Sequence, residues 1–594
     1  MPSKARGFGV RSNARSGVNR RVLRRKREQK GGCGGLSASV LQQEPLSLEK
    51  SVVTQLEQAF AGKLSAKVVR KRRVWAQCSN DVTIDVLRFA KEKLQFDHLN
   101  FITAVDWKKY FDLVYNLWSI ANKVELMLKT QLPHTDKDEL VPFPTSTTVY
   151  QAAEWPEREV YDLFGIEFKG HPDLRRILLR EDWTTHPLRK VYDRRGFPIN
   201  PSLGLSGPPE TWRINEGKIA LPAKWLAENP EVEEEILTIN FGPHHPSTHG
   251  PLMIRFRLDG EIVVDDDIVI GYLHRNHEKL GENNTWIQML PYPDRTNYIS
   301  PINWEWAYVS AVEELAGIEP PERAEYIRVI MAELDRIQSH LMFLATAGDE
   351  VGQLTGFVWG LRDRELVLDI NEMVCGARML PNYFRFGGVN RDLPKGAVEK
   401  IHEALNTIEK HLEEFSAIYE KNPVFLKRFQ GTGVLRAQDA IEWGAVGPPL
   451  RASNVPFDVR KDDPYSVYDR FEFDVVVGKN GDNLDRFLVR VEEIKQSISI
   501  VRQALKELPS GPYQAKAPVL NLPEGEASSR IETPRGEGSY YIVSDGSPRA
   551  VRMKIKSPSL MNVYVAKRLM VGQKLQDAIV TFGTFDPVLG EIDR

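Results

Sequence analysis

Histidine is clustered in this 594-residue chain. Five of its twelve histidines (His244, His245, His249, His274 and His277) fall between residues 244 and 277. The first three share the loop Gly242-Pro243-His244-His245-Pro246-Ser247-Thr248-His249-Gly250. Glycine and proline at both ends fix the path of the loop, and loops held by rigid elements are where sites are commonly built. Imidazole titrates near pH ~6.5, so a histidine placed there can give or take a proton at working pH. Zinc binding is a rival reading, because His274-Arg275-Asn276-His277-Glu278 sets two histidines three apart. That run matches neither His-Glu-x-x-His nor its inverse, which argues against zinc. The bland alternative is that these histidines cap turns or bind backbone.

Cysteine narrows the chemistry further. There are three, Cys33, Cys78 and Cys375. They cannot build a four-cysteine metal site, an all-cysteine iron–sulfur cluster or a disulfide scaffold within one chain. No Gly-x-Gly-x-x-Gly occurs, so neither a flavin nor an NAD site is encoded.

The elements that must position these residues fall into two blocks. In the first, apolar spacing predicts a helix over 51–64. Strands are predicted over 101–105, 111–120 and 124–128, an extended run over 140–150, and a short acidic helix over 155–163 that ends near Gly165. Six prolines between 198 and 230 mark a linker. In the second block, Leu252, Ile254, Phe256 and Leu258 alternate with Met253, Arg255 and Arg257; Asp259-Gly260 turns the chain, and Ile262 and Val264 resume the alternation. This predicts a β-hairpin with one buried face. Helices are predicted over 322–344, 362–376 and 396–417, the first opening on Pro320-Pro321, where missing N–H groups cost little. The fold class expected is an α+β N-terminal domain joined to a large, mainly helical domain with a small β-region. The segments are a basic extension (1–46), a first domain (47–197), a Pro-rich linker (198–235) and a second domain (236–594).

Composition is ordinary for a globular protein, with 42% hydrophobic and 27% charged residues. A net charge of −2 argues against a nucleic-acid binder. Residues 1–30 hold eleven Lys/Arg against the single acid Glu28. With no apolar core, this head is not a secretory signal. It reads as a disordered arm or an over-long start rather than a transit peptide. No apolar stretch is long enough to form a transmembrane helix.

Longer motifs add a resemblance. Trp155-x-x-Arg158-Glu159-x-x-Asp162-Leu163-Phe164-Gly165-Ile166 and Gly170-His171-Pro172-Asp173-Leu174-Arg175-Arg176-Ile177-Leu178 resemble the 30 kDa (C) family of respiratory complex I subunits. The 242–250 loop, Gly271-Tyr272-Leu273-His274-Arg275-x-x-Glu278-Lys279, Pro291-Tyr292-x-Asp294-Arg295-x-x-Tyr298, Gly376-Ala377-Arg378-Met379, Phe384-Arg385-x-Gly387-Gly388-Val389 and the run Phe585–Arg594 resemble the 49 kDa (D) family. Together they cover roughly residues 50–594, and the whole is similar to fused C/D subunits of NADH-quinone oxidoreductase.

The resemblance implies that His249 and Tyr298 hold the quinone head group. Imidazolium and phenol are suitable donors to two carbonyl oxygens that each gain a proton on reduction. It places Glu350 where the family has an aspartate paired with the loop histidine. His245, Arg275, Arg295, Arg378 and Arg385 are expected around the quinone cavity or the terminal iron–sulfur cluster of the neighbouring B subunit. The chain itself would bind no cofactor. Quinone is the substrate; FMN and Fe–S clusters belong to partners. Expected partners are the B subunit, peripheral-arm subunits of the I, E, F and G types, membrane-arm subunits of the H and A types, and membrane quinone, with no nucleic acid. The implied activity is proton-translocating NADH:quinone oxidoreduction, on the cytoplasmic side of a cell inner membrane. Alternatives are the same module fed by ferredoxin or a deazaflavin, or a non-catalytic scaffold.

Three departures stand out. Leu380 replaces a histidine that many members carry, Glu350 replaces the aspartate, and Asn276-His277 replaces glycine and a small or aliphatic residue. The 49 kDa family also shares ancestry with the [NiFe]-hydrogenase large subunit, whose metal is held by four cysteines. The corresponding positions here are Asn297, Ser300, Val588 and Glu591. Thiolates select such soft metal sites, so a hydrogenase reading fails.

Overall fold

A computed structural model describes residues 46–134, 139–193, 236–244, 249–516 and 521–594. The basic extension and the Pro-rich linker lie outside the described residues, apart from Leu46. Residues Ser47–Arg594 form one compact unit.

The first block opens with the helix Ser47–Ala59. The helix expected over 51–64 therefore stops early: Gly62 turns the chain with a positive φ of 77°, and Leu64 begins a strand. Five strands follow: β1 (Leu64–Arg70), β2 (Arg73–Cys78), β3 (His98–Asp106), β4 (Tyr110–Ser119) and β5 (Val124–Pro133), in the sheet order β1-β2-β5-β4-β3. Only the β2–β5 pairing is parallel. The helix Thr83–Leu94 carries the chain from β2 to β3, which runs the same way at the far edge of the sheet, a crossover too long for a turn. The strand predicted over 111–120 is observed at Tyr110–Ser119. Those over 101–105 and 124–128 are each longer than the sequence suggested: β3 is buried throughout and shows no alternation, while β5 runs on past Leu128 to Pro133 in register with β4. In the run predicted as extended, Val141–Pro144 pairs in parallel with Ile166–Lys169. The acidic helix is Glu154–Phe164, closed by Gly165 in the left-handed region at φ 71°, where only glycine is unstrained.

The second block carries the hairpin as expected, with Met253–Asp259 and Ile262–Val269 flanked by Leu237–Phe241. Its long helices are Pro301–Ala316, Glu322–Asp349, Leu354–Cys375, Ala397–Tyr419 and Asn483–Glu507. A four-stranded antiparallel sheet (Gly525–Ser528, Ile531–Thr533, Gly536–Ser544, Arg552–Lys556) was not anticipated. Its central strand is buried at every position, so no polar face betrays it. The observed architecture is an α/β region followed by a largely helical region with some sheet. Among the described residues, no helix is long and apolar enough to cross a membrane.

One hydrophobic core runs through both blocks: Leu99, Trp118 and Trp155 share it with Leu435, Tyr564 and Leu589. Charge is buried along with it. Arg530 lies over the Trp118 ring at 3.7 Å, and pairs with Glu537 at 2.6 Å and Asp463 at 3.1 Å. Such a buried guanidinium is tolerable only because acids and a ring face replace its water.

Candidate functional site

The loop histidine is where the site begins. His249 has a positive φ of 58°, a region histidine visits more readily than branched residues do. Its Nε2 lies 2.8 Å from Glu350 Oε1, and the two side chains are 14% and 11% exposed. Glu350 follows the last residue of the 28-residue helix Glu322–Asp349, whose C-terminal end adds partial negative charge beside the imidazole. Burial alone would lower the His249 pKa, but the hydrogen bond and charge of Glu350, with Asp586, outweigh it and hold the imidazole above its ordinary value. Glu350 is itself pushed up by burial despite His249.

The C-terminal segment is the wall behind this pair. The Phe582 ring meets His249 edge-on, with centroids 6.5 Å apart. Gly250 lies against Leu589: a Cβ on it would sit 3.0 Å from that side chain. The next residue, Gly590, is where Tyr298 arrives. A Cβ there would be 3.1 Å from Tyr298 Cε1 and 3.0 Å from an Arg275 nitrogen. Consecutive residues 589 and 590 thus bring the histidine loop, Tyr298 and Arg275 to one place. Tyr298 is half-buried, and burial raises its phenol while Arg535 and Arg275 pull the other way. Among the described residues, no hydrogen bond occupies the hydroxyl.

Two further residues hold the wall. Arg535 donates from Nε to the Asp586 carbonyl (2.9 Å), from a terminal nitrogen to Asp586 Oδ1 (2.9 Å), and from the other to Ser339 Oγ (2.7 Å). Asp586 sits at φ 53°. Its charge faces His249, Glu350 and Tyr298 alike. Sequence reasoning gave Arg535 no part, because its ten-residue neighbourhood carries no motif of its own.

Arg275 spends its guanidinium on carbonyls, those of Arg295 (2.6 Å) and Gly590 (2.7 Å). Arg295 pairs with Asp294 at 2.7 Å. Arg385 binds the Asn382 carbonyl (2.5 Å), Asn382 Oδ1 (2.9 Å) and the Phe384 carbonyl (2.8 Å), and its charge faces the buried acids Glu305 and Asp294. Burial, relieved by Arg295, leaves Asp294 pushed up to about 6. Arg378 lies beyond the end of the helix Leu354–Cys375 and pairs back onto its Glu365 and Asp369. His245 lies outside the described residues.

The departure at Asn276-His277 has a local explanation. Asn276 stands at φ 62°, a conformation glycine adopts freely and asparagine tolerates. His277 is 3% exposed, meets Tyr292 edge-on at 5.8 Å, and is pushed by burial down to about 3, hence neutral. Nearby, Asp593 accepts from the backbone of Gly271 and Leu273, and the Arg594 guanidinium reaches Glu159 of the first block at 2.7 Å.

Asn297 Nδ2 donates to Glu591 Oε2 at 2.8 Å, and Trp304 Nε1 donates to the same oxygen at 3.0 Å. Among the described residues, no group of three or more His, Cys, Asp or Glu could hold a metal ion.

A family profile described as respiratory-chain NADH dehydrogenase, 49 Kd subunit, matches residues 350–524 and 517–594. A second, described as the 30 Kd subunit, matches residues 76–198. A protein named as the C/D subunit of NADH-quinone oxidoreductase from a Sulfurihydrogenibium species is 38% identical over 585 residues, covering 92% of this chain and 100% of the relative. Its namesake in Proteus mirabilis is 38% identical over 510 residues, covering 82% of this chain and 84% of the relative. That of Methylococcus capsulatus is 36% identical over 552 residues, with 86% and 93% covered. The chain therefore belongs to the family of fused C/D subunits of NADH-quinone oxidoreductase, a catalytic subunit of respiratory complex I.

Proposed function

We propose that the chain forms the quinone-reduction site of a proton-translocating NADH:quinone oxidoreductase, against the cluster-bearing B subunit. The observation that carries this reading is the 2.8 Å His249–Glu350 pair, set on the same C-terminal segment that Tyr298 and Arg275 reach. Electrons come from NADH through FMN and Fe–S clusters in partner subunits. Quinone takes up two electrons and two protons to become quinol. The His249 imidazolium gives a proton to one carbonyl oxygen and the Tyr298 phenol gives one to the other. Glu350 holds the imidazole oriented and charged until the oxygen becomes basic enough to take its proton. Tyr298 stays protonated until then because burial raises its phenol. Both donors are reprotonated afterwards, and the coupled charge changes drive translocation through membrane-arm subunits of the H and A types. His245, Arg275, Arg295, Arg378 and Arg385 line the quinone cavity or face the terminal cluster. Peripheral-arm subunits of the I, E, F and G types complete the electron path, on the cytoplasmic side of a cell inner membrane.

The same reading assigns residues 47–197 to the 30 kDa domain and 236–594 to the 49 kDa domain, with 198–235 as the linker, and gives the second the [NiFe]-hydrogenase large-subunit fold. On that assignment the Asn297–Glu591 hydrogen bond spans two positions that are metal-binding cysteines in the hydrogenases, leaving quinone in place of nickel and iron.

The test is His249→Gln and Tyr298→Phe in the assembled complex. Both lose quinone reduction by about 100-fold or more, while NADH oxidation by ferricyanide persists. Full quinone reduction in both would leave the chain a scaffold.

A further inference from the structure

The quinone-site reading leaves unexplained how a glutamate reaches a histidine over a position where the family uses the shorter aspartate. The answer lies on the last turn of the helix Leu575–Thr584. Phe582 and Gly583, adjacent in sequence, bracket the pair: the Phe582 ring stands edge-on to His249, and Gly583 lies directly under the Glu350 carboxyl group.

A Cβ built on Gly583 would overlap Glu350 itself. The nearest obstacles are its Oε1, Cδ and Oε2. Gly583 is inside a helix, where alanine is the better former. The obstacle to a side chain at 583 is therefore the carboxyl group, not the backbone. The turn is firmly held. Asp586 N donates to the Gly583 carbonyl at 2.9 Å, and Asp586 is clamped by Arg535 at two points. Glu350 cannot push this backbone away. Glu350 Oε1 is directed to His249, and among the described residues Oε2 is buried without a hydrogen-bond partner, so no second donor holds the carboxylate in place.

We infer that Gly583 is a positioning residue for quinone reduction: its bare backbone is the seat that fixes the Glu350 carboxylate against His249. The inference rests on the quinone-site reading and adds a residue to it. A methyl group at 583 displaces the carboxylate, breaks the pair and leaves the imidazole facing only the Asp586 and Arg535 charges, beside Tyr298. Shortening residue 350 by one methylene makes room again.

The test is Gly583→Ala, alone and combined with Glu350→Asp, in the assembled complex with ferricyanide reduction as the assembly control. Gly583→Ala lowers quinone reductase kcat by ten- to a hundredfold, on the order expected for a misplaced catalytic group, and moves the alkaline limb of the pH profile down. Glu350→Asp on that background restores at least about a third of the activity of Glu350→Asp alone, an epistasis a merely structural glycine would not show. Normal activity in Gly583→Ala overturns the inference, as does a loss that Glu350→Asp leaves unrelieved. His249→Gln separates the two levels. If it stays active, the quinone-site reading falls and takes this one with it. If it is inactive while Gly583→Ala is normal, only the role of Gly583 falls.

Discussion

His249 and Glu350 are separated by 101 positions in the chain and by 2.8 Å between Nε2 and Oε1. The histidine comes from a loop after a short strand, the glutamate from the end of a long helix. Replacing Glu350 by Gln keeps the shape and removes the charge that offsets burial of the imidazole. His249 then titrates lower. Because the folded imidazole is raised, its paired form contributes stability below the unfolded-state value and loses it as pH rises through the folded one. In Glu350→Gln, quinone reductase activity therefore falls off at lower pH than in the wild type. Superimposable pH profiles would show that the pair does not set the protonation of the site.

The Asn297–Glu591 hydrogen bond is wholly buried. Asn297→Ala removes one donor from a carboxylate that keeps Trp304 and Ser559, at a cost of about 1–3 kcal/mol. Thermal unfolding of the complex should show this chain melting earlier. An unchanged melting temperature would mean that water takes the place of the amide.

Arg530 ties the blocks together through Glu537, Asp463 and Trp118. Arg530→Ala strands buried acids and costs about 3–5 kcal/mol. Adding Glu537→Gln recovers part of it. Denaturant unfolding of the single and double variants measures the coupling, and strict additivity would contradict it.

Leu380 stands at φ 51° where many family members carry a titrating histidine. The hypothesis is that the terminal cluster of the B subunit then loses much of its proton coupling, suiting a low-potential quinone such as menaquinone. Redox titration of that cluster at two pH values should give a slope well below the full one-proton value of about 59 mV per pH unit, and Leu380→His should steepen it. A full slope in the unaltered enzyme rules the idea out.

The helix Ala397–Tyr419 was legible because it buries one face, the helix Glu322–Asp349, buried all round from Tyr326 to Leu341, because its large apolar residues still recur at three and four, and the 253–269 hairpin because apolar residues alternate up to the Asp259-Gly260 turn. The acidic helix was marked by its closing glycine. The buried sheet at 525–556 and the ends of β3 were not, since full burial erases alternation. The proposed site residues, His249, Tyr298, Arg275 and Glu350, come from motif resemblance. What the sequence by itself determined was which groups could carry protons, and that three cysteines could build neither a four-cysteine metal site nor an all-cysteine cluster. The tertiary structure decided which of those groups meet. It set Phe582 and Gly583 around the His249–Glu350 pair, clamped Asp586 with Arg535, and tied Arg378 back to Glu365 and Asp369 of the helix before it. Those choices depend on backbone approach at glycines and on burial of charge between distant segments, neither of which leaves a periodic trace along a single chain.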